Sequence, residues 1–115
     1  MNAFRFQKLA DRTYDFTSTF PADERFGLTS QMRRAAVSIS SNIAEGSGRS
    51  SDIEFNRFIE IAYGSLMEVV SQAVLANRRR MLSDEDMTTI VTDGEELARM
   101  MSGLKASLLK QPSGS

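Results

Sequence analysis

Apolar residues recur along most of this chain at steps of three and four, the spacing that puts them on one face of an α-helix. Phe6, Leu9, Thr13, Phe16 and Phe20 predict a first helix near residues 4–19. Pro21 closes it, because proline disfavours helical geometry in the residue before it and supplies no backbone donor. Leu28, Met32, Ala35, Ala36, Ile39 and Ile43 predict a second helix near 28–45, with Gly46-Ser47-Gly48 as its stop signal. Ser51-Asp52-Ile53-Glu54 has the form of a capping box and opens a third helix near 52–78. The apolar stripe of that helix, from Phe55 and Phe58 to Ala73 and Val74, is wide enough to meet two neighbours. Ser83 is placed to cap a fourth helix near 84–109, with Met87, Ile90, Leu97, Met101, Leu104 and Leu108 at coiled-coil spacing. Gly94 takes the slot between Ile90 and Leu97, which marks either a close helix contact or a tolerated weak spot costing about 1 kcal/mol. No strand competes with these elements. Residues 1–110 read as one domain, and 111–115 as a flexible tail.

Four long helices joined by short loops make sequence neighbours antiparallel, so the expected fold is all-α, an up-down-up-down four-helix bundle. A turn centred near Arg49 and Ser50 would set Ala35 opposite Gly64 and Asn42 opposite Arg57, with the second and third backbones close at the first pair. Arg34 would then lie within a turn of Glu68. The expectation is a partly buried ion pair that fixes register more than it stabilises, against the alternative of two solvated charges.

Composition narrows the chemistry. With 115 residues, 41% hydrophobic and 25% charged, the chain suits one globular core, and no uncharged apolar run approaches the eighteen or so residues of a membrane span. The N-terminus carries no export signal, so the expectation is a soluble protein of the cytoplasm, not membrane-bound. Cysteine and histidine are both absent, which excludes thiol nucleophiles, Ser/His/Asp triads and the usual zinc sites. Carboxylates alone could still hold magnesium. Asp84, Glu85 and Asp86, however, follow a capping serine, where the positive end of a helix favours acids.

The segment 28–49, LTSQMRRAAVSISSNIAEGSGR, carries polar residues more specific than a solvated face requires: Gln31, Arg34, Ser38, Asn42 and Glu45. Together with EFNRFIEIAYGSLMEV over 54–69, it resembles the signature of a small bacterial family first noticed as proteins encoded by intervening sequences in 23S ribosomal RNA genes, sometimes labelled S23 proteins. The resemblance covers nearly the whole chain and rests on both blocks in order. It implies a four-helix bundle assembled as a homopentameric ring, as in the accessory protein of diversity-generating retroelements, which is similar in fold and binds reverse transcriptase and nucleic acid. The family positions matched are Gln31, Arg34, Ala35, Ser38, Asn42, Ala44, Glu45, Gly46, Arg49, Phe58, Ala62, Gly64, Ser65 and Glu68.

Charge separates this chain from those basic accessory proteins, since its formal net charge is -1 and phosphate binding leaves a basic footprint. The imbalance is uneven. Residues 26–80 hold seven Arg against five Asp and Glu, whereas 81–104 hold six acids against Arg99. Arg49, Arg57, Arg78, Arg79 and Arg80 are the candidates for nucleic-acid or anion contact. Helix-end complementation explains the last three as well, and a turn between two helix caps explains the glycine loop before Arg49. Off-stripe apolar residues, Phe26, Ile61, Tyr63, Met67, Met81, Met100 and Leu109, are candidates for a subunit interface. The expectation is a non-enzymatic, cofactor-free homo-oligomer acting as scaffold or adaptor in a nucleoprotein context, with a protein or nucleic-acid partner. Direct RNA or DNA binding is the first alternative. A carboxylate metal enzyme on the acidic face of the fourth helix, around Asp93, Glu95 and Glu96, is the second.

Overall fold

The computed structural model describes residues 4–109, so the expected tail at 111–115 lies outside the described residues. Within them are four helices, α1 (Phe4–Thr17), α2 (Leu28–Ser47), α3 (Asp52–Arg78) and α4 (Asp84–Leu109), with a 3-10 turn at Ala22–Glu24 and no strand. Each helix packs on its chain neighbours and α4 returns to α1, leaving α1 diagonal to α3 and α2 diagonal to α4. This is the closed four-helix cycle that short connections impose. The body is elongated, 53 × 23 × 19 Å. Phe6, Leu9, Met32, Ile39, Ile43, Ile59, Leu66, Ile90 and Met101 fill its axis, all almost fully buried.

Local chemistry sets the helix ends. The Ser51 hydroxyl accepts from the Glu54 amide at 3.2 Å, and Ser83 accepts from the Asp86 amide at 3.0 Å. α1 stops at Thr17, two residues early, where Ser18 and Thr19 turn their hydroxyls to the carbonyls of Asp15 and Phe16. Phe20 nevertheless folds back into the core. At the end of α3, Met81 N–H donates to the Ala76 carbonyl and Arg80 N–H to that of Asn77, both at 2.9 Å. That bond pair is a Schellman closure, and Arg80 holds its left-handed position at φ 63, where glycine is usual. Met81, expected at an interface, instead packs against the core beside this turn, and Met100 does likewise on α4.

Two helix contacts depend on a missing side chain. A Cβ on Gly94 would lie 2.9 Å from Val70 Cγ2, so the glycine marks close approach of α3 and α4 and not a weak spot. Gly46 corrects the expected end of α2. The helix runs through it to Ser47, and a Cβ there would meet Phe58 Cβ at 2.6 Å. Glycine at this position seats α2 on α3.

The register between these helices also departs from expectation. Ser38 meets Ser65 and Gly46 meets Phe58, about one turn further along α3 than a turn centred on Arg49 and Ser50 implies. The four connecting residues, with Ser51 extended at φ -124 and ψ 147, carry the chain past the end of α2 before α3 begins. Gly64 therefore does not face Ala35. It is exposed, with no atom within 4 Å of where its Cβ would sit.

Candidate functional site

The polar residues of α2 converge on α3. The hydroxyls of Ser38 and Ser65 share a hydrogen bond at 2.8 Å, and the Asn42 amide donates to Ser38 Oγ at 2.9 Å and to the Ser38 carbonyl at 2.8 Å. Ser38, Ser65 and buried Ala35 form the floor of an open cleft of about 330 Å³, with Asn42 bonded to Ser38 beside it. Gln31 and Arg34 line it from α2, and Glu68 and Gln72 from α3. Arg34 and Glu68 are both exposed and, among the described residues, form no ion pair. The expected salt bridge is thus replaced by two free charges lining one cleft. The buried Oε1 of Gln72 has no hydrogen-bond partner, an uncommon condition for a buried polar atom. Gln72 was not legible as a site residue, because only the observed register brings it opposite Gln31.

Arg49 has a different role. Its guanidinium stacks 4.8 Å from the centre of the Phe58 ring and lies 3.8 Å from Glu45, so it braces the α2/α3 turn. Arg57 is exposed on the first half of α3, beside Ile53, Asn56, Glu60 and Ile61. Arg78, Arg79 and Arg80 are exposed at the other end of that helix. At 1.5 Å per residue the two groups are separated by roughly 30 Å. The candidate basic residues therefore make no single patch within one chain.

The acidic face of α4 is divided too. Asp93 pairs with Arg12, and Glu96 pairs with Arg5, both across to α1, while Glu95 faces outward. Among the described residues no three carboxylates gather where a metal could sit.

The largest unexplained feature is the outer side of α3. Ile53, Ile61, Met67, Val74 and Leu75 are exposed there along almost the whole helix, with Tyr63 at its edge. By length and composition alone this helix could cross a membrane, with a mean hydropathy of 1.3 over eighteen residues that include Glu68. Only 28% of that window is buried in the bundle. Phe26, in the turn before α2, and Leu109, at the end of α4, are also exposed, at 89% and 75%.

Comparison with individually curated proteins gives no match. The profile of one family does match, over residues 5–103, which take in the bundle almost from end to end, including the cleft and the outer side of α3. By that match the chain belongs to the 23S rRNA-intervening sequence protein family.

Proposed function

We propose that this chain is a non-enzymatic, self-assembling scaffold or adaptor of a bacterial nucleoprotein context, working in the cytoplasm as a homo-oligomer. The observation that carries this reading is the outer side of α3. A row of exposed branched and aromatic side chains this long is unusual on a monomer and typical of a surface buried by association. Gly64 lies on the same side with open space above it, so a neighbouring backbone could approach closely there. A ring of five subunits is the assembly implied by the family's sequence blocks. Light scattering on the purified chain tests the reading. A species several times the 12.8 kDa protomer is expected, and Met67→Glu should return it to a monomer. A wild-type monomer at all accessible concentrations would defeat the proposal.

Direct nucleic-acid binding has one observation in its favour. Arg78, Arg79 and Arg80 are all exposed, and none forms an ion pair among the described residues. A ring would repeat this cluster around one rim, raising the local potential. Binding that weakens steeply with salt and is lost when the three are changed together to Ser would support it.

A further inference from the structure

We propose that the cleft between α2 and α3 binds a free α-amino acid, taking its carboxylate at Arg34 and the serine pair and its ammonium at Glu68. One chain suffices for this, with or without the assembly described above.

The cleft is lined by facing pairs, one member on each helix. Antiparallel packing sets Ser38 against Ser65, Arg34 against Glu68 one turn along, and Gln31 against Gln72 a turn beyond that. A hydrogen bond of 2.8 Å closes the first pair, whereas the oppositely charged second pair stays open and forms no ion pair. Ala35 lines the floor beside it with only a methyl group, so space remains between guanidinium and carboxylate.

A count of hydrogens adds a donor to this space. Asn42 donates to Ser38 Oγ, and one serine hydroxyl donates to the other, which uses one of the two hydroxyl hydrogens. Whichever way the shared bond runs, the remaining hydrogen has no acceptor among the described residues. A free O–H on the floor and a guanidinium one turn away suit a carboxylate, which only accepts and which arginine binds in bidentate fashion. Glu68 on the opposite wall decides the rest of the ligand. It repels a purely anionic molecule, as Arg34 repels a purely cationic one, so the cleft favours a molecule that carries both charges close together. An α-amino acid holds its carboxylate and ammonium on one carbon. Its side chain would extend toward Gln31 and Gln72, whose amides favour a short polar group such as that of serine or glutamine. The bonds among Ser38, Ser65 and Asn42 hold the floor in place before the ligand arrives, which lowers the ordering cost of binding.

Ligand-observed NMR titration of the full-length chain tests the proposal. The probes are L-serine and L-glutamine, with ethanolamine, which is serine without its carboxylate, and N-acetyl-L-serine, which has no ammonium. At least one of the two amino acids should bind. Each serine analogue should bind about tenfold or more weakly than serine, as expected for the loss of one charge-assisted contact. Two substitutions at the exposed walls assign the contacts. Arg34→Gln should weaken serine binding by about tenfold and erase its advantage over ethanolamine, and Glu68→Gln should erase its advantage over N-acetyl-L-serine. Circular dichroism should show the helices unchanged in both, and a general disturbance of the fold would not produce this crossed pattern. Failure of both amino acids to bind at about 10 mM, where a site with a Kd of 1 mM would be mostly filled, would overturn the proposal. So would equal binding of serine and N-acetyl-L-serine by the wild type, the mark of a simple anion site, or binding that neither substitution alters. None of these results bears on the scaffold reading, which light scattering decides separately.

Discussion

Along α2 and α3 the backbones approach so closely that Gly46 has no room for a Cβ, and a serine–serine–asparagine network runs beside the contact. α1 and α4 meet over a much shorter length, and the partly exposed pairs Arg5–Glu96 and Arg12–Asp93 line a groove of about 170 Å³ between them. The first seam is fixed by shape and directional hydrogen bonds, both of which fail abruptly when altered. The second is fixed by long solvated side chains, which give way gradually and weaken with salt. Six of the fourteen positions matched by resemblance fall on the first seam: Ala35, Ser38, Asn42, Gly46, Phe58 and Ser65. These six residues set how α2 sits on α3, and the cleft lies along that seating.

The most damaging small change to this contrast should be Gly46→Ala. The new methyl would overlap Phe58 Cβ, a rigidly attached atom that can clear it only if the helices separate. A net loss of about 1–3 kcal/mol is expected despite alanine's better helix propensity, read as a lower denaturant midpoint at fixed protein concentration. Gly94→Ala is the natural control. There the obstacle is a Val70 methyl at 2.9 Å, one bond further from the backbone than Phe58 Cβ and less deeply overlapped, so a smaller shift relieves it and the loss should be smaller. Equal losses at the two positions would mean that the α2/α3 contact is not the tighter one.

Ser65→Ala should come next. It removes the α3 partner of the part-buried Ser38 hydroxyl while both Asn42 bonds to Ser38 remain, for a loss of about 0.5–1.5 kcal/mol. Gly64→Ala sharpens the picture with the opposite sign. Its Cβ would meet nothing in the chain, so the isolated fold should gain about 0.5–1 kcal/mol from reduced unfolded-state freedom. If the outer side of α3 is the association surface, the same substitution should weaken assembly. Thermal unfolding in dilute solution and light scattering in concentrated solution would then move in opposite directions, and a variant that gains on both measures would place the contact elsewhere.

How much of this could be read from the chain follows the range of the forces involved. The caps at Ser51 and Ser83 involve residues three apart, so sequence alone locates them and with them the starts of α3 and α4. Gly46 misleads because glycine is the ordinary local signal for a helix end, whereas its reason here is Phe58, brought near only by tertiary packing. The register slipped by a turn because nothing local states whether a connecting loop crosses directly between helices or first climbs past the end of one. From that single displacement follow the assignment of Gly64 to a contact it does not make and the oversight of Gln72, whereas Arg34 and Glu68 do come to line one cleft and simply form no ion pair. Arg80 is a separate case, since nothing in its neighbours announces a left-handed arginine where glycine closes such turns elsewhere. The cleft was thus half legible, as an unusually specific polar face on α2, while its α3 wall required the fold.

The smallest expected effect is the one that tests the second seam. Arg12→Ala removes the guanidinium that reaches Asp93, in a pair whose side chains are 45% and 27% exposed. At that exposure the attraction is largely screened and the ordering of a long side chain offsets much of the rest, so the loss should be below about 0.5 kcal/mol. Its character is more telling than its size. The difference from wild type should shrink further between low and high salt, since only the charge interaction is screened. Hydrogen exchange should show the consequence locally, with amides near Arg12 in α1 opening more readily and α2 and α3 amides unchanged, because the buried Phe6 and Leu9 still hold α1 to the core while, among the described residues, Arg5–Glu96 alone bridges its outer edge to α4. A salt-independent loss above about 1 kcal/mol would instead mean that Asp93 is left without solvent or partner, making the α1/α4 seam as shape-determined as its counterpart.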